Sequence, residues 1–61
     1  MQSQLQILKG KAVEVDFHGM IYKGILSDVS MDEVFLRTEG GLLALPMDEV
    51  SDIRLSYQSN L

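Results

Sequence analysis

The sequence predicts a small all-β domain in which five short strands form a partly open or closed barrel. Three observations favour this fold: apolar residues recur at every second position, glycine turns separate the apolar segments, and a glycine interrupts the longest segment. A chain of 61 residues forms one domain, here residues 1–61. A domain of this size buries only roughly 60% of the surface that its unfolded chain exposes. A short meander capped by a helix is the alternative fold.

The first two strands carry the clearest pattern. Residues 11–17 alternate strictly, so that Val13, Val15 and Phe17 share one face of a half-buried strand. A turn at His18 and Gly19 leads into residues 20–29, which are apolar on both faces. Gly24 lies in the middle of this segment and predicts a sharp bend or a close approach of another backbone segment.

The other elements are shorter. Residues 3–9 predict a short helix that Ser3 caps and Gly10 ends. A helix this short is unstable alone in water, so we expect it to dock through Leu5 and Leu8. After the second strand we expect a third strand at residues 33–38, a turn at 39–41 and a fourth strand at 42–45 that Pro46 ends. A helical turn at 47–50, a fifth strand at 51–56 and a tail at 57–61 complete the chain.

Composition excludes several classes of protein. The absence of cysteine excludes disulfides, thiolate metal sites and cysteine nucleophiles. The longest apolar run, Leu42 to Met47, is far shorter than the roughly 20 residues of a membrane helix. The N-terminal residues lack the basic start and apolar stretch of a signal peptide. We therefore expect a soluble cytoplasmic protein without a membrane partner.

The sequence does not predict an enzyme, a metal site or a cofactor. His18 is the only histidine, and it lies in a predicted turn without an evident partner. No serine has a histidine at a spacing that suggests nucleophilic catalysis. Acidic pairs at 32–33 and 48–49 are more typical of solvated loop ends than of a cation site.

The fourth strand predicts self-association. Leu42, Leu43, Ala44 and Leu45 leave it without a polar face, although a turn before it and a proline after it place it near the margin of the sheet. An open apolar edge recruits other chains. Pairing with another subunit would cover it, and a contact between two different edges closes into a ring. The alternative is an interior strand that the N-terminal segment covers.

Two segments then suggest a family. The pattern Leu5-x-x-Leu8-x-Gly10-Lys11-x-Val13-x-Val15-x-x-x-Gly19-x-x-Tyr22-x-Gly24-x-Leu26, and the later stretch from Leu45 to Ile53, resemble the Sm-like proteins, including the Hfq-type rings. The resemblance implies a short helix before a strongly bent, SH3-like barrel whose bend lies at Gly24. It also implies a homo-oligomeric ring that joins the fourth strand of one subunit to the fifth of the next, which adds Ile53 and Leu55 to the interface, and it implies binding of single-stranded RNA.

The residues that contact RNA in that family have no counterparts at the corresponding positions of this sequence. Residues 30–33 lack the asparagine that holds a uracil, and the Arg-Gly pair of the second motif falls on Pro46 and Met47. A net charge of −4 also opposes broad attraction to phosphate. The remaining candidates for stacking or charge contact are Lys9, Lys11, Tyr22, Met31, Phe35 and Arg37. Two functions stay open: an RNA-binding ring with a diverged site, and a protein-interaction or scaffold module without nucleic acid.

Overall fold

The computed structural model describes residues 3–56. Within them, a four-residue helix α1 precedes five strands, and a 3-10 turn separates the last two. The bounds are α1 Ser3–Gln6, β1 Ala12–Phe17, β2 Met20–Val29, β3 Glu33–Thr38, β4 Gly41–Pro46, the 3-10 turn Met47–Glu49, and β5 Val50–Leu55. The prediction of an all-β fold with five strands is confirmed.

The five strands form one antiparallel sheet in the order β4-β3-β2-β1-β5. Strands β1 to β4 follow one another as hairpins, because each turn between them is only a few residues long. The 3-10 turn then carries the chain to β5, which pairs with β1. Strands β4 and β5 are therefore the two edges of the sheet.

One face of the sheet, here called the inner face, carries the core. Residues paired across antiparallel strands lie on the same face, and the pairs Leu26–Leu36 and Val34–Leu45 bring buried side chains together. The core consists of Val13, Val15, Leu26, Val29, Val34, Leu36 and Leu45. Leu5 and Leu8 of the N-terminal segment pack against this core, as their spacing predicts. The opposite face is called the outer face below.

At Gly24 the backbone of β3 lies very close to β2. A Cβ atom at this position would lie 2.4 Å from the carbonyl oxygen of Arg37 and 3.1 Å from Cγ of Leu36. The register of β2 against β3 also shifts between Leu26 and Asp28, which indicates a bulge. The backbone approach expected at this glycine is therefore present, since only a residue without Cβ fits beneath β3.

Some predicted boundaries differ from the structure. The helix ends at Gln6, and 3.0–3.1 Å turn hydrogen bonds from the amides of Leu8 and Lys9 to the carbonyls of Leu5 and Gln6 continue the chain. The segment cannot extend as a helix because Gly10, at φ 82°, turns it into the sheet, where its amide donates to the carbonyl of Leu26. Strand β4 ends at Pro46 as expected, but it includes the proline as its last residue rather than ending at Leu45, since an edge strand tolerates a missing donor.

Candidate functional site

The β4 edge carries exposed apolar side chains. Leu42 is 61% exposed on the outer face opposite Arg37, and Ala44 is exposed opposite Phe35. Leu43 is half-buried on the inner face, whereas Leu45 belongs to the core of the chain itself. Within residues 3–56, β4 pairs with β3 alone. The predicted apolar edge is therefore at the margin of the sheet, and Leu42, Leu43 and Ala44 are its accessible part.

The β5 edge is also apolar on its inner face. Leu55 is 44% exposed opposite Val13, and Ile53 is half-buried opposite Val15. In the described part of the chain, β5 pairs with β1 only. The two strands that the sequence assigned to a subunit interface thus lie at opposite margins of one sheet.

Three of the six candidates for RNA contact lie near one another on the outer face. Phe35 is half-buried opposite Asp28, and Arg37 is exposed two residues farther along the same face of β3. Lys9 reaches this region from the N-terminal segment, with Nζ 3.4 Å from Oδ1 of Asp28. The amide of Val29 donates to the same carboxylate at 2.8 Å. These two contacts, the backbone hydrogen bond first, hold the pKa of Asp28 below its usual value.

The other three candidates lie elsewhere. Tyr22 lies on the inner face opposite Val15 and meets Phe17 edge-on, with ring centroids 5.9 Å apart. Met31 is exposed in the turn between β2 and β3, and Lys11 is exposed just before β1. We conclude that Tyr22 is a packing residue. A site for RNA on one face of the sheet would consist of Lys9, Phe35 and Arg37.

An open groove of about 420 Å³ lies beside Gly24. Its walls come from the start of β1, the middle of β2, the end of β3 and the residue after β5. The lining residues are Ala12, Val13, Lys23, Gly24, Ile25, Arg37, Thr38, Glu39 and Ser56. Apolar side chains and side chains of both charges line the groove. Arg37 is one of them, so it belongs both to this groove and to the outer face of β3.

The structure also contains a charged cluster that the sequence did not predict. Arg54 Nη1 donates to Asp52 at 2.9 Å and to Asp16 at 3.2 Å, and Nη2 lies 3.2 Å from Glu14. The hydrogen bonds to Asp16 and Asp52 raise the pKa of Arg54. The alternation of side chains predicts that Glu14 and Asp16 share one face of β1, and that Asp52 and Arg54 share one face of β5. The contact between the two pairs, however, depends on β5 lying beside β1. No local signal in the sequence predicts that pairing.

His18, which was expected to have no partner, has one. Its Nε2 lies within hydrogen-bonding distance of Oε1 of Glu49 in the 3-10 turn, and both side chains are largely exposed. His18 also has a positive φ of 54°, in keeping with its place in the hairpin turn. The contact ties the β1–β2 turn to the residues before β5. Within residues 3–56, no cluster of three or more histidine, aspartate and glutamate side chains is arranged to hold a metal ion.

Comparison with protein-family models, with curated proteins and with solved structures gives no match for this chain. None of the helical segments among the described residues has the length and hydrophobicity that crossing a bilayer requires.

Proposed function

We propose that this chain is an Sm-like module that assembles with copies of itself into a closed ring and serves as a scaffold. The observation that carries the proposal is the position of β4 and β5 at the two margins of a single sheet, each with exposed apolar side chains. The proposed function therefore depends on the assembly rather than on a catalytic site.

The two edges differ, and this determines the kind of assembly. Each edge strand presents unpaired backbone N–H and C=O groups that accept another strand. A contact between β4 of one subunit and β5 of the next is heterologous, so repetition gives a ring when the rotation closes. Pairing would also cover Leu42 and Leu55, which are exposed in the single chain. The small core makes such added burial valuable for stability.

The bent barrel belongs to the same proposal. The close approach of β3 to Gly24 and the bulge after Leu26 both support strong curvature of the sheet at the middle of β2. The order of elements also supports it: a short helical segment, then five antiparallel strands with a glycine midway along the second. These features support the bent barrel that the resemblance to Sm-like proteins implies.

Sedimentation equilibrium tests the assembly. We expect the wild-type protein to sediment as an oligomer, and Leu42→Lys or Ala44→Asp to shift the mass toward the monomer, because each places a charge in the covered edge. Ile7→Lys is the matched control, since Ile7 is an exposed apolar residue outside both edges. A wild-type monomer at high concentration would refute the ring.

Single-stranded RNA is a second candidate ligand, and a specific arrangement favours it. Phe35, Arg37 and Lys9 lie near one another on the outer face. An aromatic ring can stack on a base while neighbouring cations contact the phosphates, and this combination tolerates many sequences. The acidic balance of the chain restricts such binding to a local patch.

Electrophoretic mobility shift with oligo-U and oligo-A at low salt tests RNA binding. We expect retardation at micromolar protein that Phe35→Leu weakens, since leucine keeps the apolar packing but removes the ring. Tyr22→Phe is the control, because Tyr22 lies on the inner face and phenylalanine retains its packing. If neither oligonucleotide is retarded, RNA binding is rejected and the scaffold function remains. Binding that disappears with modest salt and is equal in both variants indicates non-specific attraction.

A further inference from the structure

Among the described residues, the outer face of the sheet carries an arginine without an ion pair near the β4 edge and more carboxylates than cations at the β5 edge. Near the β4 edge, Arg37 lies directly behind the exposed Leu42. Within residues 5–56, no carboxylate lies within 4.0 Å of its guanidinium group, although every other arginine or lysine of β1 to β5 has such a neighbour. Among residues 5–56, Arg37 is therefore a cation without an ion-pair partner.

The β5 edge has the opposite imbalance. Glu14, Asp16 and Asp52 share Arg54. In the described part of the chain, the one other cation that pairs with them is Lys23, with Nζ 4.0 Å from Glu14. Asp16 and Asp52 are direct cross-strand partners, an arrangement in which like charges repel. Asp52 is the aspartate on the edge strand, and its side chain is 55% exposed. A further cation beside Asp52 would therefore be favourable.

We propose that Arg37 of one subunit pairs with Asp52 of the partner subunit, and that this pair selects the head-to-tail contact of β4 with β5. The inference rests on the self-assembly proposed above. Adjacent strands lie about 4.8 Å apart, so β5 of the partner subunit would run about 10 Å from β3. An arginine and an aspartate side chain together span that distance across β4.

The charges also disfavour the wrong assemblies. Two β4 edges in contact would bring Arg37 of both subunits together, and two β5 edges would add a second acidic cluster to the first. Like charges at an interface suppress incorrect partners, whereas unlike charges fix the register of the correct one. The apolar side chains supply burial in any of these arrangements, so the charge pair determines which edges meet.

Charge reversal tests the pair by sedimentation equilibrium, with circular dichroism to verify that each variant is folded. We expect Arg37→Glu and Asp52→Arg each to raise the subunit dissociation constant by about tenfold or more, because each places like charges across the contact. The double variant Arg37→Glu/Asp52→Arg should recover most of the loss. Lys11→Glu and Asp48→Arg are controls with the same changes in charge, outside both edges, and should assemble like the wild type.

The outcomes separate this inference from the assembly itself. A monomeric wild type overturns both. An oligomeric wild type whose assembly is unchanged by Arg37→Glu overturns only the ion pair, and if RNA binding is then lost, Arg37 is assigned to the RNA site instead. Single variants that weaken assembly without recovery in the double variant also overturn the pair, since the two charges would then act independently.

Discussion

At the level of single residues, Gly24 has the clearest physical constraint. Its missing Cβ leaves room for the backbone of β3, and the nearest obstacle to a side chain is a carbonyl oxygen that cannot move without displacing the strand. We predict that Gly24→Ala destabilises the fold by about 1–3 kcal/mol, the usual cost of forcing extra volume into a packed site. Urea unfolding monitored by circular dichroism measures this change.

Gly40→Ala is the matched control for that prediction. Gly40 has no positive φ, and a Cβ there would meet only the hydroxyl of Thr38 at 3.8 Å. We expect the free energy of unfolding of the Gly40→Ala variant to stay within about 0.5 kcal/mol of the wild-type value, as for most surface substitutions. Equal stabilities of the two variants would show that β2 and β3 do not approach closely at Gly24.

At the level of elements, the N-terminal segment is attached to the end of β2 by polar contacts as well as by Leu5 and Leu8. The side-chain amide of Gln6 donates to the carbonyl of Val29 at 3.2 Å, and Lys9 pairs with Asp28. A four-residue helix has little stability of its own, so these contacts and the burial of the two leucines hold it in place. The carboxylate of Asp28 makes this attachment dependent on pH.

We predict that Asp28→Asn lowers the Tm at neutral pH but not in acid. The folded pKa of Asp28 lies below that of the unfolded chain, so the ionised carboxylate stabilises the fold above about pH 4 and loses this effect as the pH falls through the folded pKa. The difference in Tm between wild type and variant should therefore shrink toward zero as the pH is lowered. Thermal melts across this range measure it.

Lys9→Gln refines the same experiment. The hydrogen bond from the amide of Val29 is the largest single cause of the lowered pKa, and it remains in this variant. We therefore expect Lys9→Gln to retain part of the pH dependence that Asp28→Asn removes. A difference between wild type and Asp28→Asn that is constant with pH would contradict this origin.

The strands could be predicted from the sequence because their signal is local. Period-two alternation gave β1 and β3 to within one residue, and the turns on either side bounded β2 correctly. The sequence could not assign Tyr22 to a face of the sheet, because both faces of β2 are apolar. Only the register of β2 against β1 determines which face Tyr22 occupies. The Arg54 cluster and the contact of His18 with Glu49 depend on where β5 and the 3-10 turn lie in space. Such long-range pairings have no local pattern.

At the level of the whole molecule, the small size of the domain would make its stability depend on the proposed assembly. The described core contains seven buried side chains, all apolar, and the domain has no disulfide to supplement them. A domain of this size has little stability to spare, and each edge that a second subunit covers adds apolar burial. An oligomer that binds through folded edges favours the folded state by mass action.

The Tm of the wild-type protein should therefore rise with protein concentration. Because Leu42→Lys places a charge in the β4 edge, its Tm should be almost independent of concentration and should match that of the wild type at the dilute end of the series. Thermal melts over roughly a hundredfold range of concentration measure both slopes. Ile7→Lys should retain the wild-type slope, because Ile7 lies outside both edges. A wild-type Tm that does not change with concentration would contradict the coupling of folding to self-association.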